Sequence, residues 1–187
     1  MRSKKKWPFK PYTRTGDSGE TGLLFGGKVK KYDPGPEAYG ACDEACSALG
    51  LARAANTDPG LEIVLKKLQR ELFVVGAELA TAPENREKLR PGETKVSAEM
   101  VQSLERLIDA LLEFCDPPRA FVLPGQNLLA AYLDYARTVI RRAERAVVAA
   151  QAAGWVSNEY LLAYMNRLGD LVYTLARWQE GSKYEKL

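Results

Sequence analysis

The stretch NLLAAYLDYARTVIRRAERAVVAAQAA, residues 127–153, runs without a glycine or proline and decides the fold. Its apolar residues Leu129, Leu133, Ala136, Ile140, Val147 and Val148 recur at the spacing of a helix, not at the two-residue alternation of a strand. Gly154 ends the pattern, so this segment predicts one long central helix. Working outward, Leu61, Val64, Leu65, Leu68, Leu72, Val75 and Leu79 form a second helical stripe that closes near Pro83. Met100, Val101, Leu104, Leu107, Ile108, Leu111 and Leu112 form a third, opened by Ser97 as a cap and closed by Asp116-Pro117-Pro118. A last helix opens at Ser157 and carries Leu161, Leu162, Met165, Leu168, Leu171, Val172, Leu175 and Trp178. The first, rich in small helix formers, spans Gly40 to Ala55 and stops at the turn cluster Asn56-Thr57-Asp58-Pro59-Gly60. Residues 84–96 read as a polar loop. Five helices on short connections predict an all-α, up-and-down five-helix bundle over residues 40–180. Residues 1–39 form a basic tail and a glycine-rich arm, and 181–187 a C-terminal tail.

Composition narrows the chemistry. At 187 residues with 46% hydrophobic content, the chain suffices for one buried core. The net charge of +3 is unevenly placed. Arg2, Lys4, Lys5, Lys6 and Lys10 fall in the first ten residues with no acid among them, so the rest of the chain is slightly acidic. That argues against a nucleic-acid partner, and the basic run reads as a solvated tail. No apolar run approaches the length of a membrane span, and Trp7-Pro8-Phe9 is too short for a signal-peptide core, so a cytoplasmic protein without membrane contact is expected. Cys42, Cys46 and Cys115 contain no CxxC pair and fit a reducing compartment; Cys42 and Cys46, four apart on one helix face, read as small buried side chains before they read as a reactive or metal-binding pair. There is no histidine, which removes Ser-His-Asp and Cys-His catalysis and every His-ligated metal at once. Chemistry must rest on Arg, Lys, Asp, Glu, backbone donors or a cofactor.

Two segments offer such groups. The arm YTRTGDSGETG, Tyr12 to Gly22, supplies glycines that let backbone N–H groups approach an anion, hydroxyls from Thr13, Thr15, Ser18 and Thr21, and the cation Arg14, followed by Lys28, Lys30 and Lys31. The set suits a triphosphate, and composition alone fits a turn-rich surface hairpin equally well. Gly22 to Lys28 spells G-x-x-x-x-G-K, but Val29 stands where a P-loop needs Ser or Thr, and Pro34 and Pro36 argue against a following helix. The sharper signal is RTVIRRAER: Arg137, Arg141, Glu144 and Arg145 line one helix face, with Arg142 about 100° away. One carboxylate does not answer so many guanidinium groups, and guanidinium forks grip phosphate bidentately, so the face predicts an anion site. Asn166 and Asp170 share a face of the last helix, near Arg167 and Arg177. In the first helix Asp43 and Glu44 stand among small residues, placed for one of them to pair with an arginine of the fourth helix if that helix packs at a subunit boundary.

YTRTGDSGETGLLFGG, the K-x-x-P-x-x-E-A-Y-G stretch from Lys31 to Gly40, the acidic pair 43–44, FVLPG at 121–125, ARTVIRRAER at 136–145 and YMNRLGDLVYTLAR at 164–177 together resemble the PduO-type cobalamin adenosyltransferases. The order runs over nearly the whole chain. The resemblance implies a ferritin-like bundle assembled as a homotrimer, with ATP near subunit boundaries and Mg²⁺ accompanying it. It implies that Thr13, Arg14, Thr15, Gly16, Thr21 and Lys31 hold the triphosphate and that Arg141, Arg142, Glu144, Arg145 and Asn166 contact the nucleotide. It further implies that Asp43 and Arg137 bridge subunits beside the corrinoid, and that Phe121 displaces the corrinoid's lower axial ligand to give a four-coordinate, more easily reduced Co(II). Co(I) would then attack C5′ of ATP with triphosphate leaving; a corrinoid reductase and an adenosylcobalamin-dependent enzyme are the implied transient partners. A non-catalytic nucleotide- or corrinoid-binding regulator is the competing reading, and a helical interaction module without a small ligand a third. The chain departs from the family pattern at Gln126-Asn127 after Leu-Pro-Gly, at Leu133-Asp134 where the family has Leu-His, at Ala45-Cys46 after the acidic pair, and at Gly35. These departures are expected to gather on the corrinoid side.

Overall fold

The computed structural model describes residue 10, residues 12–116, residue 118, residues 120–181 and residues 185–186. Most of the basic tail, with Arg2, Lys4, Lys5, Lys6 and the Trp7-Pro8-Phe9 run, lies outside the described residues. The order is β1 (Glu20–Gly22), β2 (Lys28–Lys30), α1 (Pro34–Ala55), α2 (Pro59–Leu79), a 3-10 turn (Pro83–Lys88), α3 (Ala98–Leu112), β3 (Val122–Leu123), α4 (Leu128–Ala152), α5 (Glu159–Glu180) and β4 (Glu185–Lys186). The five predicted helices are present. α4 packs on α1 and α5, α1 also on α2, and α5 also on α3. β1 and β2 form an antiparallel hairpin with Thr21 opposite Val29, and β3 pairs antiparallel with β4.

α1 and α4 meet through small residues. Ala38, Cys42, Ala45, Ala48 and Ala52 on one helix and Ala130, Ala136, Ala143 and Ala150 on the other are all buried, which lets the two axes approach closely. Leu65, Leu68, Leu104, Leu133, Ile140, Leu161, Met165 and Leu168 fill the remaining core. Three helix starts are fixed by side chains that accept from otherwise unpaired backbone N–H groups: Asp58 from Gly60 and Leu61, Asn127 from Ala130, and Asn158 from Tyr160. Ser97 caps α3 as expected.

Four expectations need correction. α1 begins at Pro34, not Gly40, because Pro34 and Pro36 fall in the first turn, where no backbone N–H is required and the fixed proline φ already suits a helix. The arm therefore ends at Asp33. The last helix is capped by Asn158 and not opened at Ser157. Val148 and Leu112, placed on the apolar stripes of α4 and α3, are each 45% exposed, since Val147 beside Val148 takes the inward position and Leu112 is the last residue of its helix.

Two departures from the family pattern have local explanations. A Cβ on Gly35 would lie 2.2 Å from the Trp155 ring, so only glycine lets the start of α1 pass beneath that indole, whose Nε1 donates to the Leu79 carbonyl at 2.8 Å. Asn127 both caps α4 and donates from Nδ2 to the Gln179 carbonyl at 3.2 Å, tying α4 to the end of α5.

Candidate functional site

The arm folds into a small cup. Gly19 N–H donates to the Gly16 carbonyl and Lys31 N–H to the Gly19 carbonyl, closing a turn on the hairpin. Arg14 sits at φ 63°, a left-handed conformation unfavourable for a residue with a Cβ. Strain of this kind persists where surrounding structure enforces it. The Thr13 and Thr15 hydroxyls lie 2.8 Å apart. A Cβ on Gly16 would stand 3.1 Å from Lys31 Nζ, so glycine gives that ammonium room to fold over the turn. Thr13, Thr15, Gly16, Glu20, Thr21, Gly22, Lys28 and Lys31 thus surround a cavity of about 440 Å³. Glu20 is engaged by Lys30 across the hairpin at 2.8 Å, and that hydrogen bond and charge hold its carboxyl below the usual 4.5. Among the described residues Lys28 and Lys31 have no ion-pair partner, so the cup keeps a positive lining. Arg14 does not line it and rests against the Tyr12 ring.

α4 carries the guanidinium row. Arg141, Arg142 and Arg145 are exposed, and Glu144 is half-buried. Arg141 approaches Glu144 at only 3.9 Å, while Glu144 also accepts from Asn166 Nδ2 at 3.1 Å, so Arg141, Glu144 and Asn166 form one connected group across α4 and α5. Arg142 ion-pairs with Glu44 of α1, so the acidic pair of the first helix does meet the arginine helix, within one chain and through Glu44. Arg145 has no ion-pair partner among the described residues. The arm cup and this row do not share a cavity in the single chain.

A second cavity, also of about 440 Å³, lies at the start of α4. Pro118, Ala120, Phe121, Val122, Asp134, Arg137, Tyr173 and Arg177 line it. Phe121 is 83% exposed. Arg137 Nε donates to Asp134 Oδ1 at 3.3 Å, and Arg177 Nη2 donates to Asp134 Oδ2 at 2.5 Å. Arg177 also meets Glu180 at 2.9 Å. Burial raises the Glu180 carboxyl above its ordinary 4.5, with Arg177 opposing that shift. Asp43 is exposed and lies elsewhere, at the edge of an apolar cleft of about 410 Å³ bordered by Leu24, Tyr39, Cys46, Leu72 and Phe73, so the chain alone does not bring Asp43 to Arg137. Of the departures from the family pattern, Asp134 alone lines the Phe121 cavity; Gln126 and Asn127 do not, Ala45 is core and Cys46 borders the apolar cleft.

Sequence reading missed Asp134, Arg177 and Glu180 as a unit. One trace was present, an acid at position 134 inside a buried stripe. Its partner on α5 is invisible to helical periodicity.

The family described as Cobalamin adenosyltransferase matches residues 11–179, from the arm to the end of α5. The chain belongs to that family. It is 39% identical over 172 residues to a corrinoid adenosyltransferase of Citrobacter freundii, covering 92% of this chain and 96% of the relative. It is also 39% identical over 175 residues to the corrinoid adenosyltransferase PduO of Salmonella typhimurium, covering 93% of this chain and 51% of the relative; it spans about half of that longer protein. The fold matches a variant of a PduO-type ATP:corrinoid adenosyltransferase from Lactobacillus reuteri, solved with cobalamin and ATP, at TM-score 0.82 and 30% identity, over 95% of this chain and 98% of that one.

Of the cysteines Cys42 is buried as expected, while Cys46 and Cys115 are half-buried. All three are free, and burial pushes the Cys42 thiol up to about 12, too high for a thiolate nucleophile at neutral pH. Among the described residues no group of three or more His, Cys, Asp or Glu could hold a metal ion, and no helix is long and apolar enough to cross a membrane.

Proposed function

We propose that this chain transfers the 5′-deoxyadenosyl group of ATP to the cobalt of a reduced corrinoid. The Co–C5′ bond forms as the C5′–O bond breaks, and the electron pair leaves with triphosphate. No proton needs to move, so a site without histidine suffices if it positions the two substrates and stabilises the leaving charge. The observation that carries this reading is the surplus of cations at the arm cup and the α4 row, on a scaffold shared with a relative solved with ATP and cobalamin.

In this reading Thr13, Thr15, Gly16, Thr21 and Lys31 cradle the triphosphate, Arg14 closes on it from the strained turn, and Arg141, Arg142 and Arg145 meet phosphate from α4. Glu144 and Asn166 hold Arg141 in place. Mg²⁺ would travel with the nucleotide, bound by phosphate oxygens and water, with Glu20 and the threonine hydroxyls as the oxygen donors near the cup; that fits a hard cation which keeps several waters. The corrinoid takes the Phe121 side, where the exposed ring would displace the lower axial ligand and Arg137 stands at the cavity rim. Because the cup and the row are apart in one chain, and Asp43 apart from Arg137, the complete site draws on a neighbouring subunit. A homotrimer meets that need, and the exposed Ile63, Phe73, Phe114 and Leu128 are the kind of surface an interface covers. The arm up to Asp33, the bundle and the short C-terminal tail act as one unit. A cytoplasmic setting, supported by the free thiols, and brief contacts with a corrinoid reductase and an adenosylcobalamin-dependent acceptor complete the proposal.

The test is direct. The protein is incubated with ATP, Mg²⁺ and chemically reduced cobalamin, and the light-sensitive Co–C product is followed by its absorbance. Product at catalytic turnover supports transfer; ATP binding without product identifies a regulator or carrier instead.

A further inference from the structure

Asp134 is 3% exposed and stands one turn before Arg137 on α4. A carboxylate so deeply buried needs charged partners, and it divides itself between two. Oδ2 accepts from Arg177 and Oδ1 from Arg137 Nε. Arg177 is itself 1% exposed and cannot swing away. The Tyr173 ring lies against both guanidinium groups, 5.1 Å from Arg177 and 6.0 Å from Arg137, and adds a second restraint on each. With Glu180 on the far side of Arg177, two acids balance two arginines. Of these four charged side chains only Arg137 reaches solvent, 28% exposed at the rim of the cavity shared with Phe121. A guanidinium is planar, so a hydrogen bond at Nε restricts the plane in which Nη1 and Nη2 lie. Neither terminal nitrogen has a hydrogen-bond partner among the described residues.

We propose that Asp134, anchored by buried Arg177, is a positioning residue that fixes the plane of the Arg137 guanidinium so that one terminal nitrogen is left for the subunit boundary, where Asp43 would meet it, and the other faces the Phe121 cavity and donates to a carbonyl oxygen of a corrinoid's amide side chain. This rests on the reading of that cavity as the corrinoid side. Arg137 makes the contact, and Asp134 acts through it.

The test is a double-mutant cycle on binding. Cob(II)alamin affinity with ATP saturating is measured by absorbance, and ATP affinity by calorimetry, for the wild type, Asp134→Asn, Arg137→Ala and the double variant. Asp134→Asn is expected to weaken cob(II)alamin binding about tenfold and ATP binding by less than about twofold, and to add less than about twofold when Arg137 is already alanine. Asp134→Glu keeps the negative charge against Arg177 but displaces the carboxylate by one methylene, and the same selective loss is expected, so the result does not hang on one variant folding. Equal loss in both Arg137 backgrounds, parallel loss of ATP affinity, or wild-type cobalamin affinity in both Asp134 variants would overturn the assignment. A wild type that takes ATP but no cobalamin would overturn the functional reading, and this assignment with it. Additive losses in a wild type that does bind cobalamin overturn this assignment alone.

Discussion

The arm cup with the α4 row and the Phe121 cavity are both lined with cations, yet they treat those charges oppositely. In the first region Lys28, Lys31 and Arg145 lack carboxylate partners among the described residues and Arg141 has only a loose one, all near solvent. In the second, Arg177 is enclosed and both arginines are met by Asp134. Exposed, unanswered cations cost little when empty and gain a great deal from a polyanion; enclosed, balanced ones leave no net charge for a ligand to neutralise. The difference matches a triphosphate on one side and an amide-rimmed, largely neutral corrinoid on the other.

The contrast can be broken first on stability. Arg177→Met strands Glu180 in the interior and leaves Asp134 with Arg137 alone, and should cost about 3–5 kcal/mol, lowering the thermal midpoint by on the order of 10 °C. The same change at Arg145 should move it by less than about 2 °C. Equal shifts in calorimetric melts would erase the distinction. Activity should sort the other way: Arg141→Ala is expected to lower kcat/KM for ATP about a hundredfold while leaving the folded state within about 0.5 kcal/mol of wild type. Salt sharpens the comparison further. Raising ionic strength from about 0.05 to 0.5 M should weaken ATP binding about tenfold in titrations and cobalamin binding by less than about twofold, since screening acts on the exposed set.

The smallest effect concerns two carboxylates with shifts of opposite sign. Glu20 is held low by Lys30, so its contribution is present above the ordinary 4.5 and is lost as pH falls through the lowered folded value. Glu180 is held high by burial, so the native state keeps a proton that the unfolded chain has released, and its contribution falls as pH rises from 4.5 through the raised folded value. Thermal midpoints of Glu20→Gln and Glu180→Gln, each subtracted from wild type across the acid range, should therefore slope in opposite directions. Parallel slopes would contradict the assigned environments.

Most of the bundle was legible because helical period needs only one sequence. Leu61 to Leu79 and Leu161 to Leu175 place their stripes where the core lies. The start of α1 was not, because Pro34 and Pro36 read as breakers unless one knows that they open a helix. The arm's cup was legible in its residue types but not in its shape, which depends on the left-handed turn at Arg14 and on Lys31 folding over Gly16. The arginine row was visible as unanswered charge. Arg177 reads in the sequence only as a charge near the Asn166 and Asp170 face; that it is buried against Asp134, 43 residues away, is set by how α4 and α5 face each other, and no spacing along one helix encodes that.

The central claim is that the arm and the α4 row together hold the phosphate tail of the nucleotide and not its base. Calorimetric titration of ATP, inorganic triphosphate and adenosine into the protein with Mg²⁺ tests it most directly. ATP and triphosphate should compete for one site that Arg141→Ala weakens by up to about a hundredfold, with adenosine at least about a hundredfold weaker than ATP. Adenosine binding as tightly as ATP, or triphosphate failing to displace ATP, would contradict the account.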